Sequence, residues 1–333
     1  MKKSKVLLGL AAAAATLLFA TACSESGSKD SSDGKKTIYF IPTVDTGAYW
    51  SPMKRGAQET AEKLGYNLVV KTATSTEAGK NDKHIGFVKE AISAKAAGIA
   101  ISPMEPNIFQ PVVEDAMNAK IPVITFDAEI ADPSKRTAYV GTVNEKAGFK
   151  LGEEAGKEMK AAGVTKGSIE TMCTDVSQTT NIDRLKGLKA GFKSAMGDDY
   201  KNFEWLEPQM DNDQAATSKT ITEGLITAHS DLAVIFTFGS EGPDVGVMEA
   251  LASQKKAGKI YHYGFDYTPT WEKGIEEGRI NGIVDQDAYN IGVQVITNLD
   301  KAIKGEKLDS VIPIDVNYVP AGEIVTYGEK KEK

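Results

Sequence analysis

Histidine and cysteine are scarce in this chain: among 333 residues there are only three histidines and two cysteines. His84, His229 and His262 lie far apart, and neither an H-E-x-x-H motif nor a cysteine pair accompanies them. A metal site is therefore unsupported. No G-x-x-x-x-G-K-[ST] phosphate loop and no G-x-G-x-x-G turn occurs, so a nucleotide or dinucleotide cofactor is not expected. "FGSEG" (238–242) approaches the nucleophile elbow G-x-S-x-G at Ser240, but Phe238 replaces the first glycine and no histidine follows His262. No catalytic motif is left, and no enzyme is expected. Net charge is −7 with acidic and basic residues interspersed. Without a basic stripe, nucleic acid is not a partner.

A membrane-spanning run is lacking too. The opening "MKKSKVLLGLAAAAATLLFATAC" has Lys2, Lys3 and Lys5, an uncharged apolar run shorter than the ~20 residues of a spanning helix, then small residues before Cys23. That is a secretory signal over 1–22. "ATAC" resembles a lipobox, with Ala20 where leucine is usual, so Cys23 is the expected lipidation site and the chain a lipid-anchored protein on the outer face of the cell membrane. Residues 23–36, with "SESGSKDSSDGKK", carry no apolar residue after Cys23 and read as a flexible tether. A lipidated Cys23 leaves Cys173 without a disulfide partner, and Cys173 reads as a small apolar residue near a strand end.

What the rest of the chain has is alternation. Apolar runs rich in Val and Ile, "TIYFIP" (37–42), "YNLVVK" (66–71), "GIAIS" (98–102), "IPVITF" (121–126) and "TAYVG" (137–141), alternate with segments of helical period. A second set follows: "GSIETM" (167–172), "NFEWLE" (202–207), "LAVIFTF" (232–238), "KIYHYGF" (259–265) and "INGIVDQ" (280–286). Between the first two runs, Met53, Ala57, Ala61 and Leu64 share a helical face, with Ser51 as expected N-cap, Pro52 in the first turn and Gly65 as C-cap. Strand-then-helix repetition gives an α/β fold of two domains with parallel sheets and helices on both faces. Ligands of such sheets bind beyond the carboxyl ends of the strands, and with two sheets the natural site is the cleft between them.

The residues at those ends form a coherent set. After the first run come Thr43, Asp45, Tyr49 and Trp50; after "IPVITF", Asp127 and Glu129; after "GSIETM", a segment reaching Arg184. "MDND" brings Asn212 and Asp213, "GSEG" brings Ser240 and Glu241, and Phe265, Asp266 and Gln286 close the set. Two large aromatics in one surface loop demand a cover. Ring faces beside planar hydrogen-bonding groups suit a polyhydroxylated ring, a sugar. Taken singly, Asp127 and Asp266 fit helix N-caps equally, Phe265 fits the core, and Arg184 a solvated helix face.

These residues resemble the ribose-binding proteins and their relatives, the solute-binding proteins of sugar ABC importers, over about 37–320. The likeness is carried by "GAQETAEKLGYNLVV" (56–70), "IPVITFD" (121–127), "RLKGLKAGF" (184–192), "LITAHSDLAVIF" (225–236), "YGFDYTP" (263–269) and "KGEKL" (304–308). The resemblance implies the type I periplasmic binding protein fold: two Rossmann-like domains joined by three crossovers and closing over a ligand. Placed on this chain, one lobe holds 37–141 plus 287–315 and the other 142–286 plus 316–333. It implies ligand contacts by Tyr49 and Trp50 as the paired aromatics, and by Asp127, Arg184, Phe265, Asp266 and Gln286. No cofactor is implied, and the partners are a sugar or polyol and ABC permease subunits, with the protein a monomer.

The departures bear on the ligand. Where the ribose-binding pattern has an arginine after the first aspartate, this chain has Ala128 and then Glu129. An aromatic after residue 210 is replaced by Asn212 or Asp213, and an apparent insertion leaves Ser240 and Glu241 as weak candidates. With Asp45, Glu129, Asp213 and Asp266 as neighbours, the pocket is expected to be acidic. Another sugar, a polyol, or a sugar-like signal such as autoinducer-2 fits as well as ribose. A sensor is thus an alternative to transport, and a secreted sugar-acting enzyme using Asp127 and Asp266 a third reading.

Overall fold

The computed structural model describes residues 34–44, 47–73, 79–239 and 242–323. Along the first part of the chain, β1 (Thr37–Ile41), α1 (Trp50–Leu64), β2 (Asn67–Val70), α2 (Lys80–Ser93), β3 (Gly98–Ile101) and α3 (Pro106–Asn118) alternate. β4 (Val123–Phe126) and β5 (Ala138–Thr142) follow, with α4 (Asn144–Ala161) after them. Then come β6 (Gly167–Cys173), α5 (Thr179–Met196), β7 (Phe203–Trp205), β8 (Gln209–Met210), α6 (Ala215–Ala228), β9 (Leu232–Phe238) and α7 (Gly242–Ser253). The chain closes with β10 (Tyr261–Phe265), α8 (Pro269–Glu276), β11 (Gly282–Asp285), α9 (Ala288–Ile303), β12 (Val311–Ile314) and β13 (Asn317–Pro320).

The strands form two sheets. The first has six strands in the order β12-β5-β4-β3-β1-β2, and the second seven, in the order β13-β11-β10-β9-β6-β7 with β8 also on β6. Every pairing is parallel except β11 with β13. The chain passes between sheets after β5, after β11 and again between β12 and β13.

Period-two alternation decides which helices each face receives. On β1, Ile38 and Phe40 meet residues of α1 and α9, including Met53, Ala57, Ile291 and Val295, while Tyr39 and Ile41 turn to α2 and α3. In the second sheet Ile169, Phe236 and Tyr263 pack on Leu151 of α4 and Phe192 of α5, and Ile235 packs on Val247 and Leu251 of α7. Both sheets are covered on both faces, which is why their strands read as nearly continuous apolar runs.

Three details depart from the sequence reading. α1 begins at Trp50, with Tyr49 already in helical conformation, and the Ser51 hydroxyl donates to Gly47 O at 2.9 Å rather than capping the helix. Gly65 does cap it, at φ 81° in the left-handed region. The strands β8, β12 and β13 are absent from the sequence reading; they are short and partly exposed, and proline interrupts β12 and ends β13.

Candidate functional site

On the first sheet, the loop after β1 and the ends of β3 and β4 converge. The Tyr49 hydroxyl donates to Asp127 Oδ1 at 2.7 Å, and Ser102, directly after β3, donates to Asp127 Oδ2 at 3.5 Å. Thr43 Oγ1 and Ser102 Oγ are hydrogen-bonded at 2.9 Å. The Tyr139 hydroxyl donates to the main-chain oxygen of Asp127 at 3.2 Å. Tyr49 and Trp50 meet edge to face, ring centroids 5.3 Å apart at 81°, and both rings stay half-buried against the core beneath.

On the second sheet, β10 ends in Phe265, whose ring carries the Arg184 guanidinium at 4.2 Å. Arg184 is only 6% exposed, and its Nε donates to Asn144 Oδ1 at 3.0 Å. Gln286, just after β11, donates from Nε2 to Asp266 Oδ1 at 2.5 Å. Asp127 and Asp266 both take the left-handed backbone, at φ 63° and 66°. Neither starts a helix; the cap of α8 is Thr268, whose Oγ1 accepts from the Trp271 N–H. The N-cap reading of the two aspartates is thereby corrected, and so is the solvated reading of Arg184. Non-glycine residues in this conformation are sparse, and each here turns a carboxylate at the end of a strand.

Electrostatics joins the two sides into one cluster. Burial, and next the charges of Asp127 and Asp266, push the Tyr49 phenol well above its ordinary value, while Arg184 pulls it back. Burial raises the Asp127 carboxyl against the lowering by Tyr49, Arg184 and Ser102. Burial likewise raises Asp266, opposed by Arg184 and Gln286 and reinforced by Asp127. Buried titratable groups that perturb one another across the two sheets make this cluster the candidate site.

Other expected residues go elsewhere. Glu129 does not add acidity to the cluster: Arg136 holds its Oε2 at 2.5 Å, while Thr125 Oγ1 and the Ile130 N–H donate to its Oε1 at 2.9 Å each. Asp213 Oδ1 accepts from the Gly242 N–H at 3.0 Å at the start of α7, and Asn212 is exposed at φ 55°. Cys23, Asp45, Ser240 and Glu241 lie outside the described residues. Cys173 ends β6 in the core, where burial pushes its thiol up to about 12 and leaves it inert. Beside it, under α5, an apolar cavity of ≈ 260 Å³ is lined by Val176, Ile182, Leu185, Pro208 and Phe238.

Three residues of the cluster are not among the candidates that the sequence offers. "GIAIS" takes Ser102 into a strand, "TAYVG" does the same for Tyr139, and no role falls to Asn144, beyond the end of β5. The strand-end rule applied to every strand finds Ser102 and Asn144, whereas Tyr139 lies within β5 and carries no such signal.

The comparisons agree with this architecture. The periplasmic binding protein domain family matches residues 38–307. The chain belongs to the periplasmic binding protein family. It is 29% identical to the ribose import binding protein of Salmonella typhimurium over 305 residues, covering 92% of this chain and 97% of that one. It is 24% identical to the D-allose-binding periplasmic protein of Escherichia coli, over 80% of this chain and 83% of the other. Among solved structures, an ABC transporter solute-binding protein of Burkholderia graminis in complex with D-arabinose superposes with a TM-score of 0.77 at 26% identity, covering 89% and 99% of the two chains. These periplasmic binding protein relatives are named for binding and import, not for catalysis, and the fold they share is the type I fold of two parallel-sheet domains.

Proposed function

We propose that this protein is the extracytoplasmic receptor of a sugar ABC importer, lipid-anchored through Cys23, which captures one neutral monosaccharide or polyol and delivers it to the permease. The observation that carries this reading is the electrostatic coupling of Tyr49 and Asp127 on one side with Arg184 and Asp266 on the other, with Trp50 against Tyr49, Phe265 beneath Arg184 and Gln286 on Asp266. A sugar offers apolar C–H faces to rings and hydroxyls to planar groups, and both kinds of partner are held ready here. In this reading the lobes, 37–141 with 287–315 and 142–286 with 316–333, close over the ligand as a hinge, because a ligand touching both faces favours the closed state.

The charge balance narrows the ligand class. One guanidinium faces two carboxylates, so a sugar phosphate or sugar acid would meet unfavourable charge in a site of low dielectric. Ala128 removes the bidentate donor of the ribose pattern, and Glu129, an acceptor, is occupied by Arg136. Neutral pentoses, hexoses and polyols remain.

Calorimetry of the soluble body against D-ribose, D-allose, D-arabinose, inositol and autoinducer-2 tests the proposal. One-to-one binding of a neutral sugar or polyol without turnover is expected. No binding across the panel would sink it, and product formation during incubation would point to an enzyme instead. Membrane release on Cys23→Ser tests the anchor.

A further inference from the structure

A free arginine side chain carries ~2 kcal/mol of rotamer entropy, so a ligand that had to order Arg184 by itself would bind less tightly. Two contacts order it in advance. The Phe265 ring holds the guanidinium carbon 4.2 Å above its centre but leaves the group free to turn there. The bond from Nε to Asn144 Oδ1, at 3.0 Å, stops the turn and directs the two terminal Nη groups away from Asn144.

Asn144 is well placed to do this and has no competing task. It is the first residue of α4, where no side chain caps the helix, so helix capping does not account for it. Its Nδ2 reaches Thr142 O at 3.5 Å, which assigns Oδ1 to the arginine side. Thr142 ends β5, so the amide stands on the segment by which the chain leaves the first sheet. The approach of α5 is set by glycine at the crossing. A Cβ at Gly148 would lie 2.0 Å from Arg184 O, and one at Gly187 1.9 Å from Glu145 O. Only with both glycines do the two helix backbones come close enough for Asn144 to reach Nε.

We propose that Asn144 is a positioning residue of the ligand site: it acts through Arg184, holding the guanidinium edge so that its Nη groups face the ligand, and ties that orientation to the crossover segment after β5. The inference rests on the sugar-site reading given above. A double-mutant cycle with Arg184→Gln, read by calorimetry with D-ribose, D-allose and D-arabinose, tests it together with the 15N resonance of the Arg184 Nε–H in ligand-free protein. Asn144→Ala is expected to weaken the tightest of these sugars about tenfold in the wild-type background and not at all in the Arg184→Gln background, the size of one charge-assisted hydrogen bond. Asn144→Asp, which still accepts from Nε, restores most of the affinity. In the ligand-free protein Asn144→Ala exposes the Nε–H to rapid exchange. Should Asn144→Ala fail to fold, Asn144→Ser, too short to reach Nε, is read in the same way. An equal loss in both backgrounds, or an Nε–H as protected in the variant as in wild type, overturns the proposal. If none of the sugars binds, the sugar reading fails, and the resonance alone decides the role of Asn144.

Discussion

The half of the cluster on the first sheet is built from hydroxyls, and the half on the second from a cation. Tyr49, Ser102 and, through it, Thr43 gather round Asp127. Arg184 lies on Phe265, with Asp266 and Gln286 beside it. Hydroxyls rotate to donate or accept, so in the proposed sugar site the first side would follow different patterns of ligand hydroxyls. A guanidinium only donates, in a rigid fork, so the second side imposes geometry. The helix pairs differ accordingly. α1 and α9 approach at Gly56 and Gly292, whereas α4 and α5 meet along Gly148, Gly152, Gly156, Gly187 and Gly191. The crossing lined by glycine over the greater length belongs to the side that carries Arg184.

If the cation dominates, Arg184→Ala is the most damaging change, weakening binding by about a hundredfold or more, since it removes charged hydrogen bonds of ~1.5–3 kcal/mol and leaves two carboxylates facing each other. Titration calorimetry measures it, and a loss smaller than that of any first-sheet variant would reverse the comparison. The tight crossing is tested by Gly152→Ala, whose Cβ would meet Leu188 O at 2.2 Å and Phe192 N at 2.8 Å. Overpacking of ~1–3 kcal/mol is expected as a lower Tm, and an unchanged Tm would show that the helices yield freely. Trp50→Ala on the hydroxyl side should weaken binding about tenfold, ~1.4 kcal/mol, with little change in Tm because the ring is only half-buried. Equal affinity would return Trp50 to the core.

The last effect concerns pH. On β6 Glu170 is fully buried, where burial pushes its carboxyl from 4.5 up to about 8, whereas the fully buried polar residue on β4 of the first sheet, Thr125, is a hydroxyl. A carboxyl raised in the folded state binds more protons folded than unfolded, so stability falls as pH rises between the unfolded value and about 8. Glu170→Gln should raise Tm at pH 8 and leave it nearly unchanged at pH 4. A Tm difference independent of pH would show that Glu170 acts by packing alone.

Much of this could be read from residue order. The runs "TIYFIP", "IPVITF" and "LAVIFTF" became β1, β4 and β9 because strands covered on both faces must be apolar at nearly every position. Edge strands escape that requirement: "VIPI" and "NYVP" are partly exposed, contain proline and gave no signal. At the cluster, the strand-end rule located Asp127, Phe265, Asp266 and Gln286, but not what each would touch. Glu129 reads as a pocket acid, whereas Arg136, seven positions on, holds its carboxylate.

By itself the sequence determined the α/β alternation and the class of residues at the strand ends, because each depends on local period, composition or position next to a run. The tertiary structure alone decided that Arg184 meets Phe265 and Asn144, 81 and 40 positions away, and that Tyr49 meets Asp127. Those contacts depend on how two sheets and their helices are placed in space, and a helix crossing that only glycine permits has no signature in the local pattern of either helix.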